Sequence, residues 1–163
     1  MSKDELCMIG RQIGIGAIKY ADLSNDLVRD YVFDMDRMVA FEGNTGPYIQ
    51  YGAARIASLL RKGGQLDAGA EILLEEPQER HLALQLVQYN TVLRETVHNL
   101  EPHRLCTWLF ELTEAFNSFY QSCSVLKVEN EAIKQSRLRL TKITRRVIVD
   151  ALDVLGIESP QQM

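Results

Sequence analysis

EGNTGPYIQYGAARI, residues 42–56, contains the clearest helix start in the sequence. Thr45 or Gly46 can cap the helix, and Pro47 suits its first turn because the N–H that proline lacks would have no partner there. At helical spacing, one face is apolar and consists of Ile49, Ala53, Ile56 and Leu60. The stretch therefore predicts an amphipathic helix whose apolar face contacts a core.

Two tyrosines lie outside that apolar face. Tyr48 and Tyr51 fall about a quarter-turn away from it. On their side are Gly52, which lets another group approach closely, and Arg55, one turn further along. Aromatic rings beside a cation form a surface on which an unstacked base can stack. The alternative is that both rings cover a neighbouring helix with their hydroxyls at its edge, and spacing alone favours this alternative.

Helical spacing of apolar residues extends through most of the remaining chain. Four further stretches show it: 4–22, from Glu76–Pro77 to about Val97, from Pro102 to about Tyr120, and from about Asn130 to Leu155. Gly156 is a natural stop for the last helix, and Pro160 follows it. Residues 24–41 mix aromatic and charged positions without one clear period. These patterns predict an all-α fold without a sheet.

The same spacing defines the expected core faces of the later helices. After Pro77 the face consists of Leu82, Leu86, Tyr89, Leu93 and Val97. After Pro102 it consists of Leu105, Trp108, Leu109, Leu112, Phe116 and Phe119. In the last helix it consists of Ile133, Leu140, Ile143, Val147, Ala151 and Val154. We expect Trp108 to pack in the core rather than against a ligand.

The composition is that of one soluble globular domain, residues 1–163. Hydrophobic residues make up 46% and charged residues 25%, and no apolar run reaches the length needed to cross a membrane. Cys7, Cys106 and Cys123 are too far apart for zinc or redox spacing. This pattern indicates reduced thiols and a cytoplasmic protein with no membrane partner.

The charge pattern restricts the nucleic acids that the chain can bind. A net charge of −4 argues against nonspecific binding, which needs a surplus of Lys and Arg, and we expect no DNA partner. One dense basic cluster nevertheless lies in the last helix and consists of Lys134, Arg137, Arg139, Lys142, Arg145 and Arg146. Such a cluster is usually a solvated helix face, but it could also contact phosphates.

Motifs for catalysis and metal binding do not occur in the sequence. It has no GxSxG elbow, no HExxH and no phosphate-binding loop with its lysine. His81, His98 and His103 lack zinc-ligand spacing, and neither an EF-hand glycine nor a closing glutamate follows Asp34 and Asp36 at the required spacing. The chain is therefore interpreted as a binding module without a catalytic residue, metal ligand or cofactor of its own.

Five stretches together resemble the C-terminal part of bacterial-type arginyl-tRNA synthetase. They are GIGAIKYADLS at 14–24, DYVFDMDRMVAFEGNTGPYIQYGAARI at 30–56, FNSFYQSCSVL at 116–126, RLRLT at 137–141 and LDVLGIESPQQM at 152–163. The resemblance implies a helical bundle of the class I synthetase anticodon-binding type, often called the DALR domain. The nearest match to the Asp-Ala-Leu-Arg signature is Asp150-Ala151-Leu152-Asp153, which differs at its last residue.

The resemblance also implies where RNA would bind. The family's motif usually reads GNTAPYLQYA, and its tyrosines and following arginine lie where the anticodon loop docks. The RNA-binding residues carried over are Tyr48, Gln50, Tyr51, Arg55, Tyr120, Ser124 and Met163. Weaker candidates, for phosphate contacts, are Arg61, Lys62, Arg137 and Arg145.

This sequence departs from the family's usual residues at positions 46, 52 and 124. Gly46 and Gly52 replace the usual alanines, and we expect them to loosen the start of the helix. Ser124 is small where some relatives carry an indole, which weakens the case for base stacking there.

The implied partner is arginine tRNA, read mainly at the last two anticodon letters. In the full synthetase a catalytic domain in cis uses ATP and Mg²⁺, but its His-x-Gly-His signature and Lys-Met-Ser-Lys-Ser-like loop do not occur here. We therefore expect this chain alone not to make arginyl-adenylate. The alternative to a synthetase domain is a free-standing relative that acts as an RNA-binding, regulatory or protein-interaction module without ligase activity.

Overall fold

The computed structural model describes residues 1–67 and 69–163, and the secondary structure in these ranges consists of helices without a strand. The helices are α1 (Lys3–Leu23), α2 (Met35–Met38), α3 (Gly46–Gly63), α4 (Pro77–Asn99), α5 (Pro102–Ser122) and α6 (Glu131–Val154). The predicted all-α fold is confirmed. Within the described ranges, no helix combines the length and the apolar character that crossing a membrane requires.

Helix α3 begins as the sequence predicts, and the cap is Thr45. The Thr45 hydroxyl accepts a hydrogen bond from the backbone N–H of Tyr48 at 3.3 Å. Three residues of the predicted apolar face, Ile49, Ala53 and Ile56, are fully or almost fully buried. This face joins the hydrophobic core, so α3 is fixed at both its start and its inner side.

Helix α1 approaches α3 closely because glycine occupies the contact. A Cβ atom at Gly46 would lie 2.7 Å from the carbonyl oxygen of Gly16 and 2.9 Å from Cβ of Tyr20. Both distances are shorter than real Cβ contacts. The expectation that Gly46 loosens the helix is therefore replaced by a packing requirement, because alanine in this position would push α1 away.

Helix α5 supplies the largest part of the core. All six residues of its predicted face, including Trp108, are buried. The Trp108 ring stacks on Tyr89 of α4 with 5.2 Å between ring centroids. Thr113 of α5 faces Gly52, where a Cβ atom would lie 3.0 Å from its methyl group. The group that Gly52 admits is thus a neighbouring helix.

The buried face of α6 is rotated from the predicted one. Val154 is 52% exposed, and Val97 at the equivalent end of α4 is 64% exposed. The buried residues of α6 are Ser136, Arg137, Leu138, Leu140, Thr141, Thr144, Ile148, Ala151 and Leu152. Thr141 and Thr144 satisfy their hydroxyls by donating to backbone carbonyls one turn earlier, at 2.7 and 2.9 Å. Polar residues can therefore occupy a core face, which apolar periodicity alone does not detect.

A buried ion pair connects α4 to α6. The Arg137 guanidinium donates to the Glu79 carboxylate at 2.6 Å and to the carbonyl oxygen of Ser124 at 2.8 Å. Glu79 also accepts the backbone N–H of Glu76 at 2.8 Å, which completes the capping box of α4. Both charged side chains are almost completely buried. The predicted phosphate contact of Arg137 is therefore replaced by a structural role.

Removal of Arg137 tests that role. Arg137→Ala leaves the Glu79 carboxylate buried without its cation, so we expect the free energy of unfolding to fall by about 3–5 kcal/mol. Urea unfolding followed by circular dichroism measures the change. Arg146→Ala, at an exposed position of the same helix, is the matched control and should change stability by at most about 0.5 kcal/mol. Equal small effects of the two variants would contradict the structural role.

Candidate nucleic-acid interface

Tyr51 lines an open cleft on the outer side of α3. The cleft has a volume of about 350 Å³ and is lined by Tyr51, Ala54, Arg55, Ser58, Arg61, Gln162 and Met163. The Tyr51 side chain is 45% exposed, so its ring is accessible to a ligand. The structure thus brings together four of the sequence-predicted residues: Tyr51, Arg55, Arg61 and Met163.

The side chains that line the cleft carry a net positive charge. Two of its lining residues are arginines, and within the described residues no Asp or Glu side chain lines it. Ser58 and Gln162 add a hydroxyl and an amide, which can donate and accept hydrogen bonds. A cleft that combines guanidinium groups, neutral polar groups and an exposed aromatic ring is suited to a single-stranded nucleic acid.

A second, apolar cavity lies beside the cleft and shares Tyr51 and Met163 with it. Its volume is about 300 Å³, and the remaining lining residues are Met1, Leu6, Ile9, Ile13 and Phe41. Phe41 meets Tyr51 edge to face, with 6.3 Å between ring centroids. Phe41 was not predicted as a site residue, because residues 24–41 show no clear period. Its contact supports the Tyr51 ring from outside α3.

Arg55 is held against an aromatic ring. Its guanidinium carbon lies 4.6 Å from the ring centroid of Tyr120, within the range of a cation–π interaction. The Tyr120 ring in turn stacks on Phe116, with 6.2 Å between centroids and 20° between planes. Tyr120 is half-buried in this arrangement. It therefore supports Arg55 and is not an open stacking surface like Tyr51.

Tyr48 lies on the same helix as Tyr51 but has a different environment. Its hydroxyl donates to the Glu114 carboxylate and accepts from the Asn117 amide at 2.6 Å. Its ring packs against Phe110, with 5.9 Å between centroids. Burial raises the pKa of the Tyr48 phenol to about 12, Glu114 adds to the rise, and Asn117 and Arg55 oppose it. The hydroxyl thus stays protonated and engaged by α5.

Gln50 lies in the interior. Its side chain is 0% exposed, and its amide nitrogen donates to the carbonyl oxygens of Gln12 at 3.2 Å and Glu158 at 2.7 Å. The predicted RNA contact at Gln50 is therefore replaced by contacts within the protein. A signal for this was present in the sequence, because Ala53, Ala54 and Ala57 follow Gln50 at helical spacing and are small enough for close packing.

The other predicted contacts do not line the cleft. Lys62 is exposed next to Arg61 at the end of α3. Ser124 is exposed, and its hydroxyl accepts the backbone N–H of Lys127 at 3.2 Å. Arg145 donates to the side chain of Gln161 at 2.8 Å. With Lys142 and Arg146 it lines a separate groove of about 570 Å³. The sequence pattern did not identify Glu114, Asn117 and Gln162 as members of the site.

No group of three or more His, Cys, Asp or Glu side chains lies together as a possible metal site within residues 1–67 and 69–163. The cysteines are free thiols, of which Cys106 and Cys123 are buried. Burial raises the pKa of the Cys106 thiol to about 12, so it is unreactive at neutral pH. The residues that line the cleft offer an aromatic ring, hydrogen-bonding groups and positive charge.

Known proteins similar to this chain include arginine–tRNA ligases. The family model described as DALR anticodon binding domain matches residues 49–163. An arginine–tRNA ligase of Thermobifida fusca is 47% identical over 165 residues, which cover 100% of this chain and 29% of that protein. One of Frankia casuarinae is 48% identical over 164 residues, covering 100% of this chain and 28% of that protein. The chain thus spans less than a third of the length of these relatives.

Solved structures give the same result. The arginyl-tRNA synthetase of Thermus thermophilus superimposes with a TM-score of 0.88 at 33% identity, over 94% of this chain and 27% of that chain. The arginyl-tRNA synthetase of Plasmodium falciparum superimposes with a TM-score of 0.88 at 31% identity, over 96% of this chain and 28% of that chain. The resemblance inferred from five stretches of sequence is confirmed.

The environment of Tyr48 leads to a prediction about pH. Glu114→Gln removes a negative charge beside the phenol, so we expect the pKa of Tyr48 to fall from about 12 toward the ordinary 10. Because the raised pKa favours the protonated phenol in the folded state, its stabilisation is complete below pH 10 and is lost as the pH rises toward 12. NMR titration with tyrosine labelled at Cζ measures the pKa. Glu111→Gln, one turn earlier on α5, is the control. An unchanged pKa of Tyr48 in Glu114→Gln would contradict the contribution of Glu114.

Proposed function

The chain belongs to the DALR anticodon binding domain family, and we propose that residues 1–163 act as one domain that binds the anticodon loop of arginine tRNA. The observation that carries the proposal is the cleft in which Tyr51, Arg55, Arg61 and Met163 meet. It offers an exposed ring, two cations and neutral polar groups within one concave surface. These are the groups that recognition of an unstacked RNA loop requires.

Base stacking is the role of Tyr51. A base that leaves the loop's stack can lie against the exposed ring, since every base has a flat π-face. Phe41 fixes the ring from its edge, which reduces the loss of side-chain freedom on binding. The hydroxyl of Ser58 and the amide of Gln162 then face the base's hydrogen-bonding edges. The last two anticodon letters are the ones we expect to be read here.

Phosphate binding is the role of Arg55 and Arg61. Phosphate contacts position a nucleic acid without reading its sequence. Arg55 meets this need best, because Tyr120 holds its guanidinium in one place. Lys62 and Arg145 extend the basic surface at the end of α3 and along α6. Tyr48 acts indirectly, since its hydroxyl is bound to Glu114 and Asn117 and orders the junction between α3 and α5.

The ligase reaction belongs to another part of such a protein. The chain covers 28–29% of the length of the ligases to which it is similar. We propose that it works in the cytoplasm in cis with a catalytic domain, which uses ATP and Mg²⁺, and that it contributes the choice of tRNA. The retained cleft favours RNA binding over a role as a protein scaffold.

Replacing Tyr51 tests the stacking proposal. Tyr51→Ala should weaken binding to an anticodon stem-loop of arginine tRNA by about 1–3 kcal/mol, the contribution of one stacked base. Fluorescence anisotropy at low salt measures affinity, with a loop changed in its second and third anticodon letters for comparison. Tyr31→Ala, at another exposed tyrosine, is the matched control. The free energy of unfolding of Tyr51→Ala should fall less than that of Ile56→Ala, which truncates the core and should lose about 2–5 kcal/mol. If Tyr51→Ala unfolds the protein as severely as Ile56→Ala and leaves affinity per folded molecule unchanged, the tyrosine is a core residue only.

Replacing Arg55 should give a different result. Because a phosphate contact carries no sequence information, Arg55→Ala should weaken binding to the unchanged loop and to the changed loop equally. It should also reduce the slope of log affinity against log salt by roughly 0.7, the value for one contact on a single strand. Arg94→Ala on α4 is the matched control. A loss confined to the unchanged loop would assign Arg55 to base recognition instead.

A further inference from the structure

The residues after Leu155, the C-cap of α6, form a tail, Gly156–Met163, that returns across the molecule toward α3. Gly156 turns the chain with a φ of +68°. Its carbonyl oxygen accepts a hydrogen bond from the Lys19 side chain of α1 at 2.5 Å, and Ile157 is 1% exposed. The tail is therefore packed on the helices from its first residues.

The middle of the tail is held by Gln50. The Gln50 amide nitrogen carries two protons, and the structure uses both, one for Gln12 of α1 and one for Glu158 of the tail. The side chain of Gln12 also donates to the Glu158 carboxylate at 2.8 Å. One buried amide on α3 thus connects α1 to the tail.

Gly16 makes room for that amide. A Cβ atom at Gly16 would lie 2.6 Å from the Gln50 amide nitrogen. The place of the amide is therefore enclosed by α1 on one side and by the tail on the other. A side chain with a different shape or without donors could not make both bonds there.

The tail ends at the cleft. Pro160 is buried, and Gln161 accepts a hydrogen bond from Arg145 of α6. Gln162 and Met163 then line the cleft with Tyr51, and Met163 also lines the apolar cavity next to it. Gln50 and Tyr51 are adjacent in sequence, so one turn of α3 both presents the exposed ring and contacts the tail whose last residues line the same cleft.

We propose that Gln50 is a positioning residue, whose buried amide fixes the tail so that Met163 and Gln162 complete the cleft around Tyr51. The part of this inference that concerns RNA affinity rests on the proposed function. The part that concerns the tail does not, because it follows from hydrogen bonds within the chain.

The first experiment measures the mobility of the tail in the absence of RNA. Met163 is observed through its ¹³C-labelled methyl group, whose NMR order parameter reports motion on the picosecond-to-nanosecond timescale. Gln50→Leu places an apolar side chain in the interior, and this side chain donates no hydrogen bond. We expect Met163 to be ordered in the wild type and as mobile as a free chain end in Gln50→Leu. Gln88→Leu, at an exposed position of α4, is the matched control and should leave Met163 ordered.

The second experiment measures affinity for the anticodon stem-loop in a double-mutant cycle. We expect Gln50→Leu to weaken binding about three- to tenfold, the effect of one net hydrogen bond on the position of the cleft wall. Removal of Met163 should have an effect of similar size. If Gln50 acts through the tail, the two changes together should weaken binding no more than the larger one alone.

The outcomes separate the two proposals. Met163 that stays ordered in Gln50→Leu, or losses that add fully in the cycle, would overturn the positioning role. Absence of RNA binding by the wild type would remove the proposed function, and the methyl measurement would still decide whether Gln50 fixes the tail. If Gln50→Leu does not fold, Gly16→Ala supplies the test from α1, since its methyl group displaces the same amide and should also free Met163.

Discussion

The close approach of α1 to α3 is the constraint on which the rest of this structure depends. Gly46 places the first turn of α3 against the backbone of Gly16, at a distance that no side chain could occupy. Because α1 lies so near, the Gln50 side chain reaches the Gln12 carbonyl and the tail together. The two glycines, Gly46 and Gly16, thus allow the close contact that places the buried Gln50 amide, and we propose that this amide fixes the path of the tail.

Helix α3 contacts three different surroundings, and helical geometry determines which of its residues faces each one. Ile49, Ala53 and Ile56 contact the core. Gln50 faces α1 and the tail, and Tyr51 faces the cleft. Because consecutive residues on a helix point about 100° apart, three neighbours can belong to three environments. A change in the core packing of α3 would therefore rotate the cleft residues as well, which couples the fold to the proposed binding face.

The helices and most of the core could be predicted from the sequence, because apolar spacing, Thr45 and the prolines at helix starts are local signals. Among the residues that line the cleft, Tyr51 and Arg55 were candidates from helical spacing and from family resemblance. Met163 was a candidate from the resemblance and Arg61 from its charge, and their contact with RNA stays a prediction. Arg137 and Gln50 were assigned to RNA and lie inside the protein. Small residues at helical spacing indicate close packing around Gln50, but the partners of the two side chains, Glu158 and Glu79, are distant in sequence, and the periodicity of one helix does not identify them.

Two contacts within the protein preorganise side chains of the candidate binding face in the absence of a ligand. Arg55 lies on the Tyr120 ring, and Tyr51 is supported by Phe41. Long or exposed side chains lose freedom when they bind, and that loss opposes binding. Here contacts within the protein have already restricted the guanidinium and the ring. The Gln50 amide contacts the tail in a similar way, so in the proposed binding mode order in the interior would lower the entropic cost of binding RNA.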